Sequence, residues 1–329
     1  MIALLALATA AVHPGELKTF RDWTVGCDNG RTCQAVSLMP EVPDDDSATM
    51  IVKRGPGANA IPEISLVPQN DGAAIVAADG KRSGIRLVVK SGDVTILPAD
   101  ALKMIATVTT AQRIEVLDAK GKRIANISPA GASAALRYID DQQKRVGTVT
   151  ALVAKGASTV VPPAPALPII IAPKVPKLLP APYRAAEARK FAGDTDCGTD
   201  TSVFKPEAHR IDATHTLVLA PTPCDNGAYN YFSVALIAGN RGTPLVKARF
   251  DASTGMGGPD DPEPSLVNAE WDEKSRLLKT YAKGRGIGDC GSTQSFAWDG
   301  TRFRLAEQAD MGECRGSTDY ITTWRAVVR

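Results

Sequence analysis

Histidine is scarce: the chain has His13, His209 and His215 and no others in 329 residues. Imidazole-based metal sites therefore have little to draw on, and no Cys-x-x-Cys spacing offers thiolates in their place. His209 and His215 lie six residues apart, share no metal-ligand spacing, and read as surface or internally satisfied side chains. Aromatic residues make up 5% of the chain, and no stripe of Lys or Arg interleaves with them. Net charge is +2. Nucleic acid and anionic membrane surfaces are accordingly poor partners. No apolar run approaches the roughly 20 residues that a membrane-crossing helix needs, so no transmembrane segment is expected. No serine sits in a nucleophile-elbow pattern. The carboxylate runs Asp44-Asp45-Asp46, Asp140-Asp141 and Asp260-Asp261 read as loop charge or a solvated helix face. Neighbouring carboxylates on a loop do not keep a proton without burial. A calcium loop over Asp251, Asp260, Asp261 and Glu263 matches no known cage spacing. No catalytic, cofactor-binding or metal-ligating residue is assigned, and no cofactor is expected.

What is present points to export. The run Ile2 to Ala8 is apolar and ends in small residues, with Ala8-Thr9-Ala10 as a cleavage site. Residues 1–12 are expected to be a signal peptide, although the basic start of such a peptide is missing; a short buried strand is the alternative. Six cysteines, an even number, support an oxidising destination. Pairing within local segments joins Cys27 to Cys33, Cys197 to Cys224, and Cys290 to Cys314. Other connectivities are open to six cysteines, but in this one each bridge closes one loop or hairpin of one domain. The expected location is the periplasm or the cell exterior.

The domain plan follows from composition. Residues 16–156 read as an α+β domain with short strands and helices at Ala99–Thr107 and Gly131–Arg145. Leu102, Ile105 and Ala106 are expected on one face of the first helix. In the second, Ala132, Leu136 and Ile139 face inward, with Asp140, Asp141, Lys144 and Arg145 outside. A Pro-rich linker covers 157–182, with eight prolines in the 22 residues from Val161 to Pro182. Proline lacks the amide hydrogen that ladders use, so a stiff spacer is expected, or a strip laid along a domain surface, since Leu167 to Ala172 and Leu178-Leu179 are apolar. Residues 183–329 read as a mainly-β domain, an antiparallel meander or sandwich, after a short helix at Tyr183–Phe191. Asp299-Gly300 predicts a two-residue hairpin, with Trp298 facing Thr301 and Phe296 facing Phe303. Leu266–Trp271 and Arg276–Tyr281 predict a second.

The densest signal is Lys283 to Gly291, with four glycines, two cations, one carboxylate and one cysteine. It reads either as a glycine loop fixed by a disulfide at Cys290, or as a cradle of amides that holds an anion with Arg285. No helix pattern follows it, which disfavours a nucleotide loop. Lys283 to Ser292, Trp298-Asp299-Gly300, Cys314-Arg315-Gly316 and Trp324-Arg325 resemble the C-terminal signature of the family catalogued as domain of unknown function 1176. Phe20 to Asn29 resembles that family's opening motif, and also that of the invasion-associated locus B family. The resemblance implies a secreted protein of Gram-negative bacteria, and no activity.

Two functions remain open. One is a non-enzymatic binding protein of the cell envelope, with Arg285, Asp289, Trp298 and Arg315 as its face and an envelope protein, host protein or anionic ligand as partner. The other is an envelope hydrolase using Asp289 with Glu313 or another carboxylate. A bridge between Cys290 and Cys314 is expected to bring Arg285 and Arg315 close together, with a bound anion or a carboxylate between them, Asp289 being the internal candidate.

Overall fold

The computed structural model describes residues 12–40, 46–68, 71–193, 205–223, 226–239, 243–254 and 265–329. The expected signal peptide, Cys197, Cys224, Asp44, Asp45, Asp260, Asp261 and Glu263 lie outside or almost wholly outside these spans. The fold is mainly β, in antiparallel sheets.

The N-terminal half contains β1 (Lys18–Phe20), β2 (Trp23–Cys27), β3 (Cys33–Ser37), β4 (Ala48–Arg54), β5 (Glu63–Pro68), β6 (Ile75–Ala78), β7 (Lys81–Arg82), β8 (Leu87–Lys90) and β9 (Asp93–Ile96). Helix α1 (Ala101–Thr110), β10 (Ile114–Leu117), β11 (Arg123–Ile127) and α2 (Ala132–Gln142) follow. One sheet runs β1-β2-β3-β4-β5-β9-β8, the other β11-β10-β6-β7. Trp23, Val25, Met50, Ile64, Ile114, Ile127, Leu136 and Ile139 belong to the one core that both sheets and both helices share. The hairpin β8–β9 has the register that its sequence dictates: Ser91 and Gly92 both take positive φ, and Val89 pairs with Val94.

Helix faces differ from expectation in two places. In α1 the buried residues are Ala101, Met104, Ile105 and Val108, while Leu102 is exposed. The helix starts after a 3-10 turn at Pro98–Asp100, and the inward stripe runs from Ala101 instead. In α2 the charged residues do not all face water. Asp140 continues the stripe of Ala132, Leu136 and Ile139 and is fully buried. Its carboxylate accepts the consecutive amides of Leu152, Val153 and Ala154 and lies 3.6 Å from Arg54. Arg145 is also fully buried, donating to the carbonyls of Pro56, Gly57 and Ala58 and to Thr150. Burial, and then repulsion from Arg145, push the Arg54 guanidinium down to about 10.

Part of the Pro-rich segment is structured. Strand β12 (Ile169–Ile170) pairs in parallel with the last strand of the chain, Val327–Val328. Ile170 is buried against Ala297 and Ala306. Further along, the Ala181 amide donates to Thr216, and the Leu179 carbonyl accepts from Arg210. At these two places the segment lies against the C-terminal half rather than standing off it as an extended spacer.

After α3 (Ala185–Phe191) come β13 (Glu207–Arg210), β14 (Thr216–Pro221), β15 (Phe232–Ala238), β16 (Val246–Lys247) and β17 (Ser265–Val267). They form one sheet, β13-β14-β15-β16, with β17 also on β15. The other sheet is β18 (Glu270–Asp272), β19 (Leu277–Lys283), β20 (Gly291–Trp298), β21 (Phe303–Met311) and β22 (Ile321–Arg325), paired in that order. Their inner faces meet through Leu217, Leu219, Ala235 and Ile237 on one side and Leu278, Phe296, Trp298, Phe303 and Leu305 on the other. The outer face of β14 and β15 is apolar as well and is covered by Ala188 and Ala192 of the α3 region.

Both predicted C-terminal hairpins form, the first with a shifted register and the second with a shorter first strand. Trp298 pairs with Phe303, and Phe296 with Leu305, so Asp299 to Arg302 form the loop. The Asp299 carboxylate accepts the amides of Thr301 and Arg302 and the Thr301 hydroxyl, which holds the wider turn. The slip is two residues on one strand, so alternation leaves the same aromatic residues facing inward. Leu266 to Trp271 is not one strand. Asn268 breaks it at φ 46 and ties the break to the carbonyls of Tyr229 and Tyr281, so that β17 joins β15 and β18 joins β19.

Candidate functional site

The glycine loop folds back on itself. The Gly284 amide donates to the Cys290 carbonyl, and the Gly288 amide to that of Arg285. Gly288 has φ 72, and a Cβ there would stand 2.4 Å from the Tyr281 hydroxyl. Its carbonyl accepts both the Tyr281 and Tyr320 hydroxyls, at 3.0 and 3.2 Å. A disulfide joins Cys290 to Cys314, and another joins Cys27 to Cys33.

Asp289 lies at the bottom of this loop, 1% exposed. Arg285 donates to both carboxylate oxygens, and the Gly316 amide donates to Oδ2 at 2.8 Å. The Arg285 fork holds the Asp289 carboxyl below its ordinary range, against the opposing effect of burial. Arg285 itself keeps about half its side chain in solvent.

Arg315 turns the other way, toward the N-terminal half. Its Nε donates to the Met39 carbonyl at 2.7 Å and Nη2 to Asp22 at 2.9 Å. The Met39 amide returns a bond to the Arg315 carbonyl at 3.0 Å. Burial opposes ionisation of Asp22, but Ser128 and Arg315 outweigh it and hold the carboxyl below the usual range. Asp289 therefore does not sit between Arg285 and Arg315: it pairs with Arg285 and reaches the Cys314-Arg315-Gly316 motif only through the Gly316 amide. The carboxylate that Arg315 faces is Asp22.

A second set of contacts joins the same two halves. Arg325 donates to Asp28 through Nε and to Thr32 through Nη2 at 2.7 Å. Asn29 lies edge-on to the Arg325 backbone, accepting its amide at 2.8 Å and donating to its carbonyl at 3.0 Å. Asp28 is fixed by the amides of Gly30 and Thr32, and the positive φ in this loop falls on Arg31. Thr19 donates to Glu313 at 2.9 Å, and the Gly15 amide to the Thr323 carbonyl at 2.8 Å. Between the polar contacts lies an apolar patch of Val36, Leu38, Cys290, Met311 and Ile321. The opening and closing motifs thus face each other across one seam, and each disulfide stands beside it.

Trp298 is not part of this group. Its indole nitrogen donates to Asp212 at 2.7 Å inside the C-terminal core, and its ring meets His215 edge-on at 5.4 Å. Burial opposes ionisation of Asp212, but the Thr214 amide, Trp298 and His215 together bring its pKa to about 2. Sequence reasoning passed over Asp212; the only hint was its place three residues before a histidine. His209 is 3.0 Å from Glu273. Among the described residues no group of three or more His, Cys, Asp or Glu is placed to hold a metal ion, and no helix is long and apolar enough to cross a membrane.

The family model described as "Protein of unknown function (DUF1176)" matches residues 17–328. A curated relative, "Uncharacterized protein YpfG" of Escherichia coli (strain K12), is 31% identical over 350 residues, spanning 98% of this chain and 96% of that protein. Among solved structures, the invasion associated protein b from Bartonella henselae is 18% identical, with 39% of this chain and 99% of that chain covered, at a TM-score of 0.26. That score is too low to argue a common fold.

Proposed function

The chain belongs to the DUF1176 family, and from that premise we propose that it is an exported, disulfide-stapled, non-enzymatic binding protein of the cell envelope, periplasmic or on the cell surface. In this reading residues 1–12 are removed as a signal peptide. Residues 16–156 and 183–329 are two domains, 157–182 connects them, and Cys197 and Cys224 form a third bridge. The two observed disulfides support the oxidising destination.

The observation that carries the reading is the occupancy of Asp289. A hydrolase built on it needs a carboxyl free to hold or take a proton, or an oxygen free to attack the substrate. Here both oxygens are held by Arg285, one also by Gly316, and the group is kept ionised. Glu313 is engaged by Thr19. The motif residues of both ends serve to dock the halves, and this leaves Arg285 and the outer surface for a partner. The test is fractionation of cells producing the chain, with alkylation of free thiols before and after reduction. The expected result is a periplasmic or extracellular protein, shortened at its N-terminus, that takes up alkylating reagent only after reduction. A cytoplasmic protein with reactive thiols would overturn the proposal.

A further inference from the structure

A cleft of about 780 Å³ opens on the N-terminal half where Arg315 reaches across the seam. Its volume falls within the range of small-molecule sites. Three guanidinium groups line it, those of Arg113, Arg123 and Arg315, with Gln112, Asn126, Ser47 and Ser128 as polar neighbours. Asp22 is the one carboxylate among the described lining residues, and Ser128 and Arg315 already engage it. The other two cations have their own partners: Arg113 lies 3.4 Å from Glu115, and Arg123 3.0 Å from Asp46. Those pairs are wet. The Arg113 and Arg123 side chains are 57% and 48% exposed, so each guanidinium keeps donors facing solvent.

Spacing decides what the cleft suits. Arg113 precedes β10, and Arg123 lies opposite Leu117 at the other end of that strand. Four strand residues separate the two levels, about 13 Å at roughly 3.3 Å per residue. A single small anion cannot engage both ends of such a row unless the two long side chains lean together. An elongated ligand with several anionic groups can, each group meeting one planar fork of donors. Tetrahedral phosphoryl groups accept from several directions at once, which suits cations arriving from β10, β11 and the loop before β22.

We propose that this cleft binds a ligand carrying two or more phosphoryl groups, either free or displayed on a lipid headgroup. The inference rests on the binding-protein reading above and gives it a site and a ligand class. Because Arg315 holds Asp22 and the Met39 carbonyl at the cleft wall, such a ligand would also sense whether the two halves are docked.

The test uses the full chain, oxidised. Calorimetric titration with inorganic tripolyphosphate should show binding that orthophosphate matches only about tenfold more weakly, and that weakens with salt. Arg113→Gln with Arg123→Gln should lower tripolyphosphate affinity by about tenfold or more while leaving the melting temperature unchanged, since both side chains are half-exposed. Sedimentation with cardiolipin vesicles, against phosphatidylcholine vesicles, distinguishes the source. Capture that the double variant loses supports phosphoryl groups on a lipid; tripolyphosphate binding without capture supports a soluble ligand. No binding of either probe, or equal binding by wild type and the double variant, would overturn the site and leave the envelope reading standing. Release of orthophosphate from the bound probe would retain the site and overturn the non-enzymatic reading.

Discussion

Removing the Asp22–Arg315 pair tests whether the seam holds the two halves together. The carboxylate is about a third exposed and the guanidinium less than a fifth. Such a pair is worth more than the median surface ion pair and less than a buried one, so a coupling of about 1 kcal/mol is expected. Arg315→Ala removes more than the coupling, because it also takes a charged donor from the Met39 carbonyl. Its total cost should be about 2 kcal/mol. Asp22→Ala should cost less, about 1–2 kcal/mol, with the loss of the Ser128 bond included. Urea unfolding followed by tryptophan fluorescence suits the question, since Trp23 reports on one half and Trp271, Trp298 and Trp324 on the other. The double variant should be more stable than the sum of the singles implies, by the coupling. Asp22 is held below its ordinary pKa in the folded chain, so the pair contributes above the unfolded value, about pH 4, and fades as pH falls through the folded one. Strict additivity, within about 0.3 kcal/mol at pH 7, would refute the assignment of these residues to docking.

Asp212→Asn should destabilise the C-terminal half and change Trp298 emission. With a folded pKa of about 2, the wild-type group contributes fully above about pH 4, and about 2 kcal/mol is lost as pH falls toward 2; an unchanged acid limb of the stability curve in the variant would contradict this. Replacing Cys290 and Cys314 by serine opens a loop with a sequence separation of 24 and should cost about 3 kcal/mol in urea, with little loss if the bridge is incidental. Limited proteolysis should spare 168–172 while Ile170 is buried. Ile170→Asp should make that span the first site cut, and early cutting in the wild type would show that β12 does not hold.

Much of the fold was legible because local rules decided it. Ser91-Gly92 set the β8–β9 register, and the 3.6-residue period placed both helices. The errors arose where a side-chain hydrogen bond, or for α1 the 3-10 turn before it, overrode the local pattern. Asp299 widened its own turn, Asn268 split a strand by bonding Tyr229 and Tyr281, and Asp140 looks solvated in the sequence because its partners, the amides of 152–154, lie beyond the helix. The candidate residues were legible as special but not in role. Arg315 is paired with Asp22, which is 293 positions distant, and no spacing rule reaches that far. Arg113 and Arg123 carried no motif; only the pairing of β10 with β11 places them on one cleft.

The grip of Asp28 on Arg325 spans 297 residues. A chain that emerges N-terminus first must therefore carry an open Asp28–Asn29 loop until almost its last residues have appeared. The first disulfide, between Cys27 and Cys33, can close long before that, and it holds the loop in shape for a partner that does not yet exist. The apolar patch of Val36 and Leu38 waits equally long. During this interval the unfinished protein presents a sticky, preformed surface, and contacts of such sequence separation are slow to form. Biogenesis, more than the stability of the finished fold, is where this chain should depend most on a chaperone.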